Sequence, residues 1–120
     1  MLTLEAAKSM KTLGYPQDQW PQFVRREGGK RARYVLRWAV LPKGYFACPS
    51  EVEALDWLQE HLFYYWSRND QGWYFARPPE KMSGDYRENV EILVGQTFAN
   101  ASELVLAIKS HWLTRQVVAQ

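Results

Sequence analysis

Residues 63 to 75 read FYYWSRNDQGWYF, seven aromatic side chains in thirteen positions around one polar turn. Aromatic runs bounded by Asn, Asp and Gly favour strands, and two such runs this close form an antiparallel hairpin. With 69–72 as a four-residue loop, Arg68 falls opposite Trp73, Trp66 opposite Phe75 and Tyr64 opposite Arg77. Side chains alternate across a strand, so Tyr64, Trp66, Arg68, Trp73, Phe75 and Arg77 share one face. Phe63, Tyr65, Ser67, Tyr74 and Ala76 take the other. Both faces are therefore aromatic, whereas a sheet covered by helices on one side buries only one of them. One face is expected in the core. The other either lies under residues 80–89, the most loop-like and mobile-looking segment, or forms a patch for a partner.

A second hairpin signal comes earlier. In QFVRREGGKRARYVLRWAVL (22–41), Gly28-Gly29 suits a two-residue turn that sets Glu27 against Lys30 and Arg26 against Arg31. Alternation then puts Phe23, Ala32, Tyr34, Leu36 and Trp38 on one face, expected to be core. Val24, Arg26, Arg31, Arg33, Val35 and Arg37 take the other, a basic strip.

Three helices complete the pattern. Thr3 can cap the first, with Leu2 and Ala7 as a hydrophobic staple, and Gly14 with Pro16 ends it. Ser50 and Glu53 form a capping box for the second, whose Val52, Leu55, Leu58 and Leu62 make an apolar stripe. Asn100 and Glu103 start the last, with Leu104, Ala107, Ile108 and Trp112 along one side. VEILVG (90–95) reads as a short strand before it. The expected fold is α+β, a two-layer sandwich of antiparallel hairpins and helices in the order α-β-β-α-β-β-(β)-α, forming one domain over 1–120.

Composition narrows the function classes. At 47% apolar and 23% charged residues, the 120-residue chain is of globular type and long enough to bury a core without a disulfide or metal. Cys48 is the lone cysteine and His61 and His111 the two histidines, widely spaced, so no metal site, cofactor or catalytic thiol is expected. Cys48 is read as a buried, inert thiol. No glycine-rich phosphate loop, nucleophile elbow or HExxH occurs. Carboxylates are present (Glu51, Glu53, Asp56, Glu60, Asp85, Glu88, Glu91), but most fall at helix starts, where the helix dipole accounts for them. A non-enzymatic protein is expected, with a small hydrolase as the remote alternative. No apolar run approaches the ~18 residues of a membrane span, and no leader opens the chain, which points to the cytoplasm.

Four stretches, LTLEAAKSMKTLGYPQ, CPSEVEALDWLQE, GWYFAR and GQTFANASELVLAIKSHWL, resemble a class of small uncharacterised proteins encoded in bacteriophages and prophages. The likeness consists of caps, turns and core positions, and the 22–43 hairpin lies outside it. It implies a phage or prophage setting and the host cytoplasm, and carries no active residues across.

Two readings of function follow from the residues themselves. In the first, the aromatic face (Tyr64, Trp66, Trp73, Phe75, flanked by Arg68 and Arg77) anchors a protein partner or a second copy, and the arginines steer it. In the second, Arg26, Arg31, Arg33 and Arg37 bind nucleic acid. Residues 22–43 hold seven basic side chains against Glu27 alone, a net +6 in a chain of net +2, which leaves −4 for the remainder. Like charges opposite one another in a sheet repel, and an anion between Arg26 and Arg31 would relieve them. Against that stands a solvated outer face, whose arginines guard an edge strand and cover apolar surface with their stems.

Overall fold

The computed structural model describes residues 1–76 and 95–118. Arg77, the 80–89 loop and most of the 90–95 strand lie outside the described residues, as do Asp85, Glu88 and Glu91. Helix α1 spans Leu4–Thr12. Thr3 Oγ1 accepts from the Ala6 amide at 3.2 Å, and Leu2 and Ala7 are both fully buried. Gly14 takes the left-handed conformation (φ +102°), and the Tyr15 N–H donates back to the Met10 carbonyl at 2.9 Å, closing the end as expected.

Three short strands follow: β1 (Gln22–Arg26), β2 (Arg33–Val35) and β3 (Tyr45–Ala47). They form an antiparallel sheet in the order β2-β1-β3. The expected frame of the first hairpin is present, with Phe23 opposite Tyr34 and Val24 opposite Arg33, but pairing stops there. Arg25 and Arg26 pair instead with Phe46 and Tyr45 of β3, a strand the sequence reading did not contain. Contrary to expectation, Arg26 does not face Arg31: the β1–β2 ladder ends at Val24–Arg33, and the ladder partner of Arg26 is the neutral Tyr45 on the other edge of β1. Like charges directly opposed would have weakened that pairing.

The faces of this sheet also need correcting. Val24, Val35 and Ala47 are buried, whereas Phe23, Tyr34 and Leu36, expected in the core, are exposed, Leu36 by 73%. Cross-strand partners share a face, so Arg33 and Tyr45 lie on the Val24 side. Trp38 meets Tyr45 edge-on (5.1 Å) and lies under the Arg33 guanidinium (5.8 Å). The segment after β2 therefore folds back over the face expected to be wet.

Helix α2 runs Glu51–Leu62, with Ser50 Oγ accepting from the Glu53 amide at 3.2 Å. Its buried side chains are Ala54, Leu55 and Leu58; Val52 is half exposed. At about 100° per residue, Ala54 lies nearer the centre of the Leu55–Leu58–Leu62 arc than Val52 does. His61 Nδ1 sits 3.0 Å from the Trp57 carbonyl at the helix end. Phe63 then turns the chain in the left-handed conformation, and Tyr64 enters the core.

Strands β4 (Trp66–Asn69), β5 (Gly72–Phe75) and β6 (Thr97–Phe98) make the second antiparallel sheet, in the order β4-β5-β6. The register is the expected one, Trp66 with Phe75 and Arg68 with Trp73, and Asn69–Gly72 pair as well, shortening the loop to Asp70-Gln71. β6 starts just beyond Gly95, where the short strand was expected to end. Helix α3 (Ala101–Val118) begins as read: Asn100 Oδ1 accepts from the Glu103 amide at 2.9 Å, and the Glu103 carboxylate accepts from the Ala99 amide at 3.1 Å.

The fold is α+β. Helix α1 packs on β1 and β3, α3 packs on β5 and β6, and α1 and α3 pack on each other. A single buried cluster joins Leu2, Met10, Leu55, Leu58, Tyr64, Phe75, Leu104 and Ile108 across these elements. Among the described residues, no helix is long and apolar enough to cross a membrane, and no group of His, Cys, Asp and Glu is arranged to hold a metal.

Candidate anion-binding site

The aromatic hairpin is core rather than platform. Tyr64 and Phe75 are 1% exposed and Trp73 5%. The Tyr64 hydroxyl is hydrogen-bonded to His111 Nδ1 of α3 at 2.7 Å, and the Phe75 ring meets Phe98 edge-on. Trp66 is half-buried against Trp73 (5.2 Å between ring centroids) and donates its indole N–H to Asp56 at 3.3 Å. Among the described residues of this face only Arg68 is exposed, with its guanidinium 4.9 Å from the Trp73 ring centre. The expectation of a ring face free to anchor a partner is therefore corrected. Rings of this size fill most of a small core, and α3 supplies the surface that covers them.

The basic strip has a different outcome. Arg26, Arg31 and Arg33 line one concavity of about 400 Å³, together with Lys30, Val24, Gly29 and Tyr45. Arg37 is exposed and is not on its wall. The local fold explains the convergence. β1 delivers Arg26, β2 delivers Arg33, and the turn between them carries Lys30 and Arg31 back over the same side. Gly28 takes φ +78°, and the Gly29 N–H donates to the Arg26 carbonyl at 2.9 Å. A Cβ on Gly29 would sit 3.1 Å from that carbonyl and 3.6 Å from Arg26 Nε, so the bare glycine lets the Arg26 side chain lie across the turn.

Among the described residues, no carboxylate lines the concavity. Glu27, the one acid of residues 22–43, is held by Lys8 of α1 at 2.8 Å. The Lys8 hydrogen bond, then its charge, hold the Glu27 carboxyl below its ordinary pKa, and the same contact raises that of Lys8. Four basic residues thus line one hollow with no counter-ion among the described residues of its lining. The floor is Val24, 1% exposed, and Tyr45 forms a wall backed by Trp38, which is itself braced by Trp20 at 5.9 Å. An apolar floor under charged forks lowers the local dielectric and strengthens whatever charge-assisted bonds an anion makes there.

Sequence reading did not include Lys30, Gly29 or Tyr45 in the site. Lys30 was visible in the charge count. Tyr45 reaches the site only through β3, three residues between Gly44 and Pro49 with no alternation to mark them.

Three described carboxylates outside this region have structural partners: Glu51 with the terminal amine (3.4 Å), Asp56 with Trp66, Glu103 with its own cap. Cys48 is fully buried, with Sγ 3.6 Å from the Leu2 carbonyl. Burial pushes its thiol pKa up against the opposing pull of Arg25. Comparison with protein-family models, with curated proteins and with solved structures finds no significant match to the chain.

Proposed function

We propose that this chain is a non-enzymatic binding protein that holds the phosphate groups of a nucleic acid in the basic concavity. One observation carries the reading: Arg26, Lys30, Arg31 and Arg33 line a single apolar-floored hollow, with no carboxylate among its described lining residues. Guanidinium forks match phosphate oxygens two at a time, and a cation cluster without an internal partner gains most from an external anion. The −4 balance of the rest of the chain orients the approach, because an anionic strand is repelled elsewhere and drawn to this side. The phage or prophage setting and the host cytoplasm belong to the same proposal; both come from the resemblance of the capped helices.

A protein partner remains the second reading, on different residues from those first expected. Tyr34, Leu36 and Val40, 52%, 73% and 78% exposed, make an apolar margin at and beyond β2, an edge strand of its sheet. Self-association there would appear as a dimer in sedimentation equilibrium and vanish on Leu36→Ser.

The nucleic-acid reading is tested by fluorescence anisotropy with labelled single- and double-stranded DNA and RNA at low and physiological salt. Affinity should fall with salt, with a log–log slope of roughly −0.9 per phosphate contacted on duplex and −0.7 on single strands. An Arg26/Arg31/Arg33 triple-alanine variant should lose it. Absence of binding at low salt, or binding unchanged in the variant, overturns the reading.

A further inference from the structure

We infer that the concavity is a phosphomonoester site, taking the terminal phosphate of a strand or the phosphate of a free nucleotide in preference to an internal phosphodiester. The inference rests on the phosphate reading above and narrows it. A protein that tracks duplex backbone meets about one charge per 1.7 Å of helix axis and answers it with cations spread along a row. Here the basic residues line a single hollow. Arg26, Lys30, Arg31 and Arg33 share a hollow of about 400 Å³, and Arg37, which would extend the row along the strip, is not on its wall.

A phosphomonoester fits that arrangement better than a diester does. It carries about −1.5 to −2 charge at neutral pH and presents three strong acceptor oxygens to one side. An internal phosphodiester carries a single charge and two free oxygens, with chain leaving in both directions. Three guanidinium forks and an ammonium offer donors enough for all three monoester oxygens, and no carboxylate among the described lining residues repels the second charge. Glu27 could have done so, but its carboxylate is held 2.8 Å from Lys8 Nζ.

The aromatic part of the lining, beside Arg26, suits the rest of a nucleotide. Tyr45 lines the hollow and packs in a T-shaped contact with Trp38 (5.1 Å, 89° between planes), which holds the ring in place. A fixed aromatic face accepts any base or sugar by stacking and does not select sequence. The volume lies within the ~300–1,000 Å³ range of small-ligand sites, enough for one nucleotide rather than several.

The test compares one labelled single-stranded oligonucleotide in three forms, with a 5′-phosphate, with a 3′-phosphate and with hydroxyls at both ends, on the unmodified protein. At low salt and pH 7.5, at least one phosphorylated form should bind about tenfold more tightly than the hydroxyl form, the scale of one further charge-assisted hydrogen bond. That advantage should shrink between pH 7.5 and 5.5, as the monoester takes up its second proton near pH 6 while the guanidiniums stay charged. Competition with unlabelled nucleoside monophosphate separates the two sources. Displacement at a similar concentration supports the free nucleotide, and displacement only by phosphorylated strand supports a strand end. Equal, Arg26/Arg31/Arg33-dependent binding of all three forms overturns the monoester inference and leaves the phosphate reading standing. No binding of any form overturns both.

Discussion

Lys8 of α1 and Glu27 of the β1–β2 turn meet at 2.8 Å, and this contact keeps the one acid of the basic hairpin away from its arginines. Replacing Lys8 with Met releases a carboxylate next to the concavity. Oligonucleotide affinity at low salt should fall roughly two- to fivefold, the effect of one unfavourable surface charge near the ligand, with the urea midpoint almost unmoved. An unchanged affinity would mean that Glu27 exerts no influence on the site.

The same pair has a defined pH dependence. The Glu27 carboxyl is lowered, first by the Lys8 hydrogen bond and then by its charge. Its contribution is thus full above the ordinary carboxyl range and is lost as pH falls through the depressed folded value. Lys8 is raised, first by its hydrogen bond to Glu27, so on that side the contribution is lost only as pH rises through the raised value. NMR titration of the Glu27 carboxyl carbon should give a midpoint below that of a free glutamate, rising in Lys8→Met as the hydrogen bond and charge of Lys8 are removed.

The aromatic hairpin should behave as core. Phe75→Ala should cost about 3–5 kcal/mol in urea unfolding, the usual range for emptying a buried phenylalanine site. Trp73→Ala should be similarly damaging, since both rings are almost fully buried. Near-native stability in either variant would contradict the packing described.

Two glycines separate backbone strain from steric conflict. Gly28 has φ +78° with open space where a Cβ would go, so Gly28→Ala should cost only the left-handed penalty of about 1–2 kcal/mol. Gly72, at φ +133°, would drive a Cβ into the Phe98 carbonyl across the β5–β6 pair. Gly72→Ala should therefore be clearly the more destabilising, and the Thr97 and Phe98 amides should lose hydrogen-exchange protection.

Cys48 should be chemically silent in the folded protein. Its side chain is fully buried, and burial raises its thiol pKa. Iodoacetamide at pH 8 should label it only when urea unfolds the chain. Rapid labelling of the native protein would contradict that placement.

The caps at Thr3, Ser50 and Asn100 and the register of the second hairpin were legible, because each depends on residues close in sequence. A side-chain oxygen needs only an amide two or three positions on. The Asp70-Gln71 turn fixes its flanking strands whatever covers them. The first sheet was less legible for the opposite reason. Both faces of β1 mix apolar and charged residues, so a period of two yields two faces without saying which is covered. Ring count favoured Phe23, Tyr34 and Leu36. The chain instead folds Trp38 back against Tyr45 and Arg33, and it brings in β3 from nineteen residues away to pair with Arg26. The same non-local pairing supplies Tyr45, so three arginines of the site could be read from sequence and its shape could not.

The central claim is that ligand phosphate is held by the concavity at β1, β2 and β3. It is tested most directly by titrating the ¹⁵N-labelled protein with a 5′-phosphorylated oligonucleotide and following amide shifts at low salt. The account predicts changes concentrated at Val24, Arg26, Gly29, Lys30, Arg31, Arg33 and Tyr45, fading on addition of salt. Shifts centred on Trp66–Phe75 or on α3, or none at all, would contradict it.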